Sequence, residues 1–161
     1  MHVSRAEHAA RFERRQPFRS RIHDSRPAFA HGPRFSTAAW TDHAELGFQR
    51  SADLFGDGSI MLLEASGHTP GHAAVLVCAG EQLLLHAGDA FVHHAELDGE
   101  DDLPLGVRLY RRVLHEDKPS AQATLARLRA LRRERADVMI VNAHDATLLG
   151  RLPTFPATVA G

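Results

Sequence analysis

Short apolar segments bounded by glycine or proline dominate the middle of the chain. Ser59 to Ala65, Ala73 to Ala79 and Gln82 to His86 have the length and the boundaries of consecutive strands in a sheet. Only Gly80-Glu81 separates the last two segments, which predicts a tight hairpin. The pattern therefore predicts a sheet in this part of the chain.

A helical pattern follows these predicted strands. From Ser120 the chain is rich in strong helix formers, and leucines recur three residues apart from Leu125 to Leu131. This spacing predicts an amphipathic helix with Ser120 as its N-cap. Asp137 to Val141 then predicts a short buried strand. Because strands and helix alternate, we expect an α/β fold, with residues 1–161 forming a single domain.

The first 50 residues show no sustained period, and Pro17, Pro27 and Pro33 divide them, so we expect short helices and loops there. Six of the ten aromatic residues lie in this segment among arginines, a mixture that would suit single-stranded nucleic acid. Arg-rich helices that cover a core with their aromatic faces are the simpler interpretation. Since the net charge is only -1, we expect no nucleic-acid partner.

Composition and short-range patterns exclude several classes of protein and of site. No apolar run approaches the ~20 residues needed to cross a bilayer, and the first residues do not resemble a secretory signal, so we expect a cytoplasmic protein without a membrane partner. The single cysteine, Cys78, lies in an apolar run and is predicted to be a buried core thiol. The acidic run of residues 96–104 fits no calcium-loop spacing and predicts a solvated loop.

Three polar residues share one placement in the predicted sheet. His68, Asp89 and His144 each follow the apolar run of a strand, where a rigid sheet brings side chains to a common edge. Imidazole and carboxylate together suit zinc or another borderline divalent metal. A single histidine in such a place is more often a surface or hydrogen-bonded residue, so the placement alone indicates a metal site only weakly.

The sequence around these residues resembles a known family. Gly67-His68-Thr69-Pro70-Gly71-His72, Gly88-Asp89-Ala90 and Ala143-His144-Asp145 resemble, in order and spacing, the third, fourth and fifth metal-binding motifs of the metallo-β-lactamase superfamily. Asp53 to Ser59 is similar to the segment before them in lactonase-like and glyoxalase-like members. The resemblance covers about residues 52–150 and implies a four-layer αββα sandwich.

The resemblance implies a role for each residue. His68 would bind the first metal, His144 the second, and Asp89 would bridge both as the central catalytic carboxylate. Thr69 and His72 would support the ligands without binding metal. The implied activity is hydrolysis of an ester, lactone, thioester or similar bond in a small-molecule substrate, by water activated at a dinuclear zinc site. Iron or manganese stays open as the metal.

Three further positions bear on the substrate. Lactonases of the acyl-homoserine type commonly carry a tyrosine three residues after the bridging aspartate, and this chain has Val92 there, which argues against that subgroup. His93 and His94 follow at the expected pocket rim, where a loop role is favoured over substrate contact.

One part of the family pattern is missing. No H-x-H-x-D-H string occurs in this chain, and Met1 to Glu7 resembles the piece that follows that string in the family. We therefore expect a partial sandwich that holds at most one zinc weakly, is catalytically silent and self-associates through uncovered sheet surface. A misplaced start or a fragment would explain this. A natural non-catalytic remnant that acts as an interaction module is the alternative.

Overall fold

A computed structural model describes residues 2–13, 29–99 and 103–152. The helices are α1 (Arg5–His8), continued by a wider helical turn at Ala9–Glu13, α2 (Ala95–Asp98), α3 (Leu105–Leu114), α4 (Lys118–Glu134) and α5 (Ala146–Leu149). The strands are β1 (His2–Val3), β2 (Ser36–Thr37), β3 (Ser51–Asp53), β4 (Ile60–Glu64), β5 (Ala73–Ala79), β6 (Gln82–His86) and β7 (Val138–Val141).

The central sheet has the strand order β3-β4-β5-β6-β7. Its first four strands are antiparallel neighbours, whereas β7 is parallel to β6. Parallel neighbours need a long crossover, and α4 lies within the segment that joins β6 to β7. The α/β prediction is confirmed, as is the hairpin, in which Ala79 pairs with Gln82 across the two-residue turn.

Helix α4 packs on one face of this sheet. Leu125, Leu128 and Leu131 are buried in the same core cluster as Leu76 and Leu85 of the sheet, which confirms the predicted amphipathic helix. The predicted N-cap, Ser120, is wrong. Asp117 is the N-cap, and its carboxylate accepts a hydrogen bond from the backbone N–H of Ser120 (3.2 Å). A carboxylate three residues before Ser120 reaches the free N–H groups, and proline is tolerated in the first turn.

The opposite face of the sheet is also apolar. Cross-strand register places Ile60, Val77, Leu84 and Met139 in one row, with Leu62 and Val75 in a neighbouring row. Most of these side chains are partly buried, and Met139 is 38% exposed. Among the described residues this second face is therefore covered less completely than the face under α4.

The described part of the first 50 residues forms short elements, as predicted. Strands β1 and β2 pair in parallel, and His8, Phe12, Phe29 and Phe35 form a ring cluster with centroid separations of 5.0–6.1 Å. These aromatic rings pack on one another. Pro17 and Pro27, predicted to divide this segment, lie outside the described residues.

Two local expectations need correction, and one helix was not expected. Residues Ala95–Asp98 form α2 instead of a solvated loop. Glu96 is 1% exposed, and its carboxylate accepts hydrogen bonds from the backbone N–H groups of Val92 and His93. Cys78 is only partly buried, at the edge of the core cluster. Helix α3 was not predicted. In the described part of the chain, no helix combines the length and apolarity that a membrane crossing requires.

Candidate metal centre

The three sequence-predicted ligands lie at one edge of the sheet. His68 follows β4, Asp89 follows β6 and His144 follows β7. His68 Nε2 lies 3.7 Å from Asp89 Oδ2, and His144 Nε2 lies 2.6 Å from Asp89 Oδ1. The predicted convergence is therefore present in the structure, and its use in binding metal stays a prediction.

The carboxylate of Asp89 stands between the two imidazoles and offers one oxygen to each. This differs from a single compact group of three ligands, in which all donor atoms would surround one point. His68 is 6% exposed, whereas the side chains of Asp89 and His144 are 36% and 47% exposed. The donor set of two nitrogens and a shared carboxylate suits zinc. The residues therefore fit the metal that the family resemblance implies.

His72 supports Asp89 through the backbone. Its Nδ1 lies 2.9 Å from the carbonyl oxygen of Ala65, and its Nε2 accepts a hydrogen bond from the backbone N–H of Asp89 (3.1 Å). These contacts define a neutral ring with its proton on Nδ1. Burial lowers the pKa of His72 and favours the same state. Both ring nitrogens are in use, so His72 contacts a predicted ligand without facing the metal position.

Gly88 makes this contact feasible. It has a φ of 56°, and a Cβ atom there would lie 2.7 Å from His72 Nε2. A side chain would push the ring away from the Asp89 amide. The Gly-Asp pair therefore places the carboxylate and leaves room for the histidine that holds it.

His68 is enclosed by two other imidazole rings. The centroid of His72 lies 5.9 Å away and that of His115 lies 5.8 Å away, both edge-on. His115 is buried and matched no ligand spacing in the sequence. Its position between α3 and α4 brings it to the site only through the tertiary fold.

His144 is placed by its own neighbours on the chain. Asn142 Oδ1 accepts hydrogen bonds from the backbone N–H groups of His144 (3.1 Å) and Asp145 (2.7 Å), while its Nδ2 donates to Phe91 O (3.0 Å). Asn142 is fully buried. This side chain therefore joins the end of β7 to the loop after Asp89.

A second polar group lies near this centre. His93, His94 and Asp145 each place a potential ligand atom within 4.8 Å of the others. The Asp145 carboxylate accepts hydrogen bonds from the backbone and ring of His94 and from the backbone of Thr147 and Leu148. Burial raises the pKa of Asp145, but these hydrogen bonds outweigh it and lower the pKa. Asp145 is thus committed to holding His94 and to capping α5.

A cavity of about 470 Å³ opens beside two of the three predicted ligands, His68 and Asp89. His68, His72 and Asp89 lie on its polar side, and Val3, Leu62 and Val75 lie on its apolar side. Its volume falls within the range of about 300–1,000 Å³ that is usual for small-molecule sites.

Known proteins similar to this chain were found by sequence. No family model matches the chain. Probable metallo-hydrolases of Mycobacterium tuberculosis and Mycobacterium bovis are each 36% identical over 151 residues, covering 92% of this chain and 48% of the relative. The chain spans about half the length of these curated relatives.

The fold of the chain is also similar to that of solved structures. An N-acyl homoserine lactone hydrolase with N-hexanoyl-L-homoserine at its catalytic metal centre has a TM-score of 0.61 and 18% identity, covering 97% of this chain and 51% of that chain. The dizinc quorum-quenching lactonase AidC has a TM-score of 0.51 and 16% identity, covering 89% of this chain and 47% of that chain. At these identities the likeness establishes the fold, which agrees with the predicted one.

Proposed function

Because the chain belongs to the metallo-β-lactamase-fold superfamily, we propose that it forms part of a metal-dependent hydrolase. His68, Asp89 and His144 would be metal ligands, and zinc is the metal that their donor atoms suit best. The proposal extends the metallo-hydrolase character of the relatives to specific residues of this chain.

One observation carries the proposal. The two oxygens of Asp89 face different histidines, at 3.7 Å from His68 Nε2 and 2.6 Å from His144 Nε2. Asp89 would therefore hold a metal together with His68 through one oxygen and together with His144 through the other. A surface ion pair would need neither the second histidine nor the partly buried His72 that fixes the Asp89 backbone.

The chemistry follows from this arrangement. When bound, zinc would act as a Lewis acid that polarises the bond to be cleaved and lowers the pKa of water. This chain's residues would position that chemistry: His72 fixes Asp89, and Asn142 fixes the backbone of His144.

The cavity also suggests the substrate class. A reacting group at Asp89 would have apolar surface from Val3, Leu62 and Val75 beside it, which suits a small ester, lactone or thioester with an apolar part. Val92 replaces the tyrosine common in acyl-homoserine lactonases, so we propose a substrate outside that subgroup. A cytoplasmic location is part of the same proposal.

Three ligands are few for two metals. Catalytic zinc usually has three protein ligands and a water, whereas here each metal would have two ligands with Asp89 shared. We propose that the remaining ligands come from a segment equivalent to the half of the relatives that this chain does not match. Under this proposal the chain as it stands binds metal weakly and does not turn over substrate.

Zinc titration of the purified chain tests the ligand assignment. The wild type should bind zinc, weakly, and Asp89→Asn should reduce the affinity at least tenfold because it removes the shared anionic ligand. Asp42→Asn is the matched control, since the Asp42 side chain is 94% exposed. Equal zinc binding by the wild type and Asp89→Asn would overturn the assignment.

A further inference from the structure

The first helical turn of the chain lies against the loop that carries His68. Ser4 Oγ donates a hydrogen bond to Gly71 O (2.8 Å), and the backbone N–H of Gly71 donates one to Glu7 Oε2 (3.1 Å). A Cβ atom at position 71 would overlap Ser4 Oγ and the backbone N of Glu7. The contact therefore requires glycine and brings α1 directly onto the loop.

Arg11 connects the first helical turn to a second segment that contacts His68. Its Nε donates to Glu7 Oε1 at 2.7 Å, and its Nη2 donates to Glu116 Oε1 at 2.9 Å. The backbone N–H of Glu116 in turn donates to His68 O (3.2 Å). One guanidinium thus links the first helical turn to the segment that holds the main chain of His68.

The charged side chains of Glu7, Arg11 and Glu116 are largely removed from water. The Arg11 side chain is 4% exposed, and those of Glu7 and Glu116 are 22% and 15% exposed. Burial raises the pKa of Glu7, but hydrogen bonds from Thr69, Arg11 and Gly71 outweigh it and lower the pKa. Buried ion pairs often add little net stability over apolar residues of the same volume, while they do restrict geometry.

We propose that Glu7 and Arg11 are positioning residues for His68. They would fix the loop of residues 67–72 on one side and Glu116 on the other, so that His68 Nε2 stays directed towards Asp89. The relevance of this to metal binding rests on the proposed function, whereas the positioning itself can be measured without metal.

Amide hydrogen exchange on the full chain tests the positioning. Glu7→Ala and Arg11→Met should each speed exchange at Gly67, Gly71 and His72 about tenfold or more, because the network restrains these amides. Amides of β5 and β6 should keep their wild-type rates. Arg5→Met is the matched control, since Arg5 is exposed on the same helix.

Two results would contradict the proposed positioning role. Unchanged loop exchange, or equal acceleration in loop and core strands, would show a merely structural network and overturn the proposal. If Arg11→Met does not fold, Arg11→Lys, which keeps the charge but loses the two-pronged contact, should still speed loop exchange more than strand exchange.

A zinc titration of the same variants separates this inference from the proposed function. Both variants should weaken zinc binding by about 10- to 100-fold, as is usual for residues behind a ligand. Faster loop exchange in a chain whose wild type binds no zinc would refute the metal site and leave the positioning intact. Zinc binding that the variants do not change, with unchanged loop exchange, would refute the positioning alone.

Discussion

Asp89 and His72 contact each other, yet their replacement should have unequal effects. In a protein with the complete ligand set, Asp89→Ala removes a carboxylate shared by both metals. His72→Ala removes only the group that holds the Asp89 backbone. Loss of such a supporting group typically lowers metal affinity or activity ~10- to 100-fold. We expect Asp89→Ala to lose more kcat/KM and more bound metal than His72→Ala. Equal losses in purified variants of equal folded content would contradict the two roles.

Glu7 should make stability depend on pH. Its pKa is lowered in the folded chain from the ordinary value of 4.5, so its charged form stabilises the fold above the unfolded pKa. That contribution is lost as the pH falls through the folded pKa. Glu7→Gln should therefore lower the urea midpoint at pH 7 and have less effect at pH 3. The exposed Glu134→Gln is the control, and a Glu7→Gln effect that is independent of pH would argue against the charged network.

At the scale of elements, Gly67 controls how the His68 loop meets α4. It has a φ of 133°, and a Cβ atom there would overlap the backbone N and Cα of Ala121. Gly67→Ala should thus destabilise the fold by more than the ~1–3 kcal/mol of backbone strain alone. Gly56→Ala is the matched control, because Gly56 also has a positive φ, of 78°, but has open space around it. Similar urea midpoints for the two variants would show that the loop does not pack as described.

The elements also show what a local pattern predicts well. Ala73–Ala79 and Gln82–His86 have the bounds that their apolar runs predicted, because glycine or proline near the ends of a run marks where a strand begins and ends. Placement of His68, Asp89 and His144 after strands was enough to predict their convergence at one edge. The family resemblance, rather than periodicity, supplied their roles.

Local sequence patterns do not predict contacts between residues that are far apart along the chain. Arg11 and Glu116 are 105 residues apart, and nothing in either local sequence indicates that one arginine bridges two glutamates. Glu96 lies in an acidic run that predicts solvent exposure, yet it is buried, and its carboxylate accepts hydrogen bonds from backbone N–H groups of the preceding loop. Such side chains are placed by tertiary packing, which periodicity does not encode.

At the scale of the whole molecule, the sheet has two apolar faces and unequal cover. Helix α4 buries one face, while the row from Ile60 through Val77 and Leu84 to Met139 is only partly buried on the other. An apolar sheet face of this kind is normally covered by a second layer. The described residues therefore place the three predicted metal ligands beside a sheet that has one partly covered face.

Expressed alone, residues 1–161 should bind metal poorly, lack catalytic activity and expose apolar surface. Three side chains that two metals would share can hold at best one, and a loosely held metal does not fix the geometry of attack. The partly covered sheet face should favour self-association and the binding of a hydrophobic dye. Metal analysis after dialysis, a hydrolysis screen over ester, lactone, thioester and phosphodiester substrates, and sedimentation measure these outcomes. Two tightly retained zinc ions with metal-dependent turnover would show that other residues complete the site, and His93 and His94 beside Asp145 would be the first to replace.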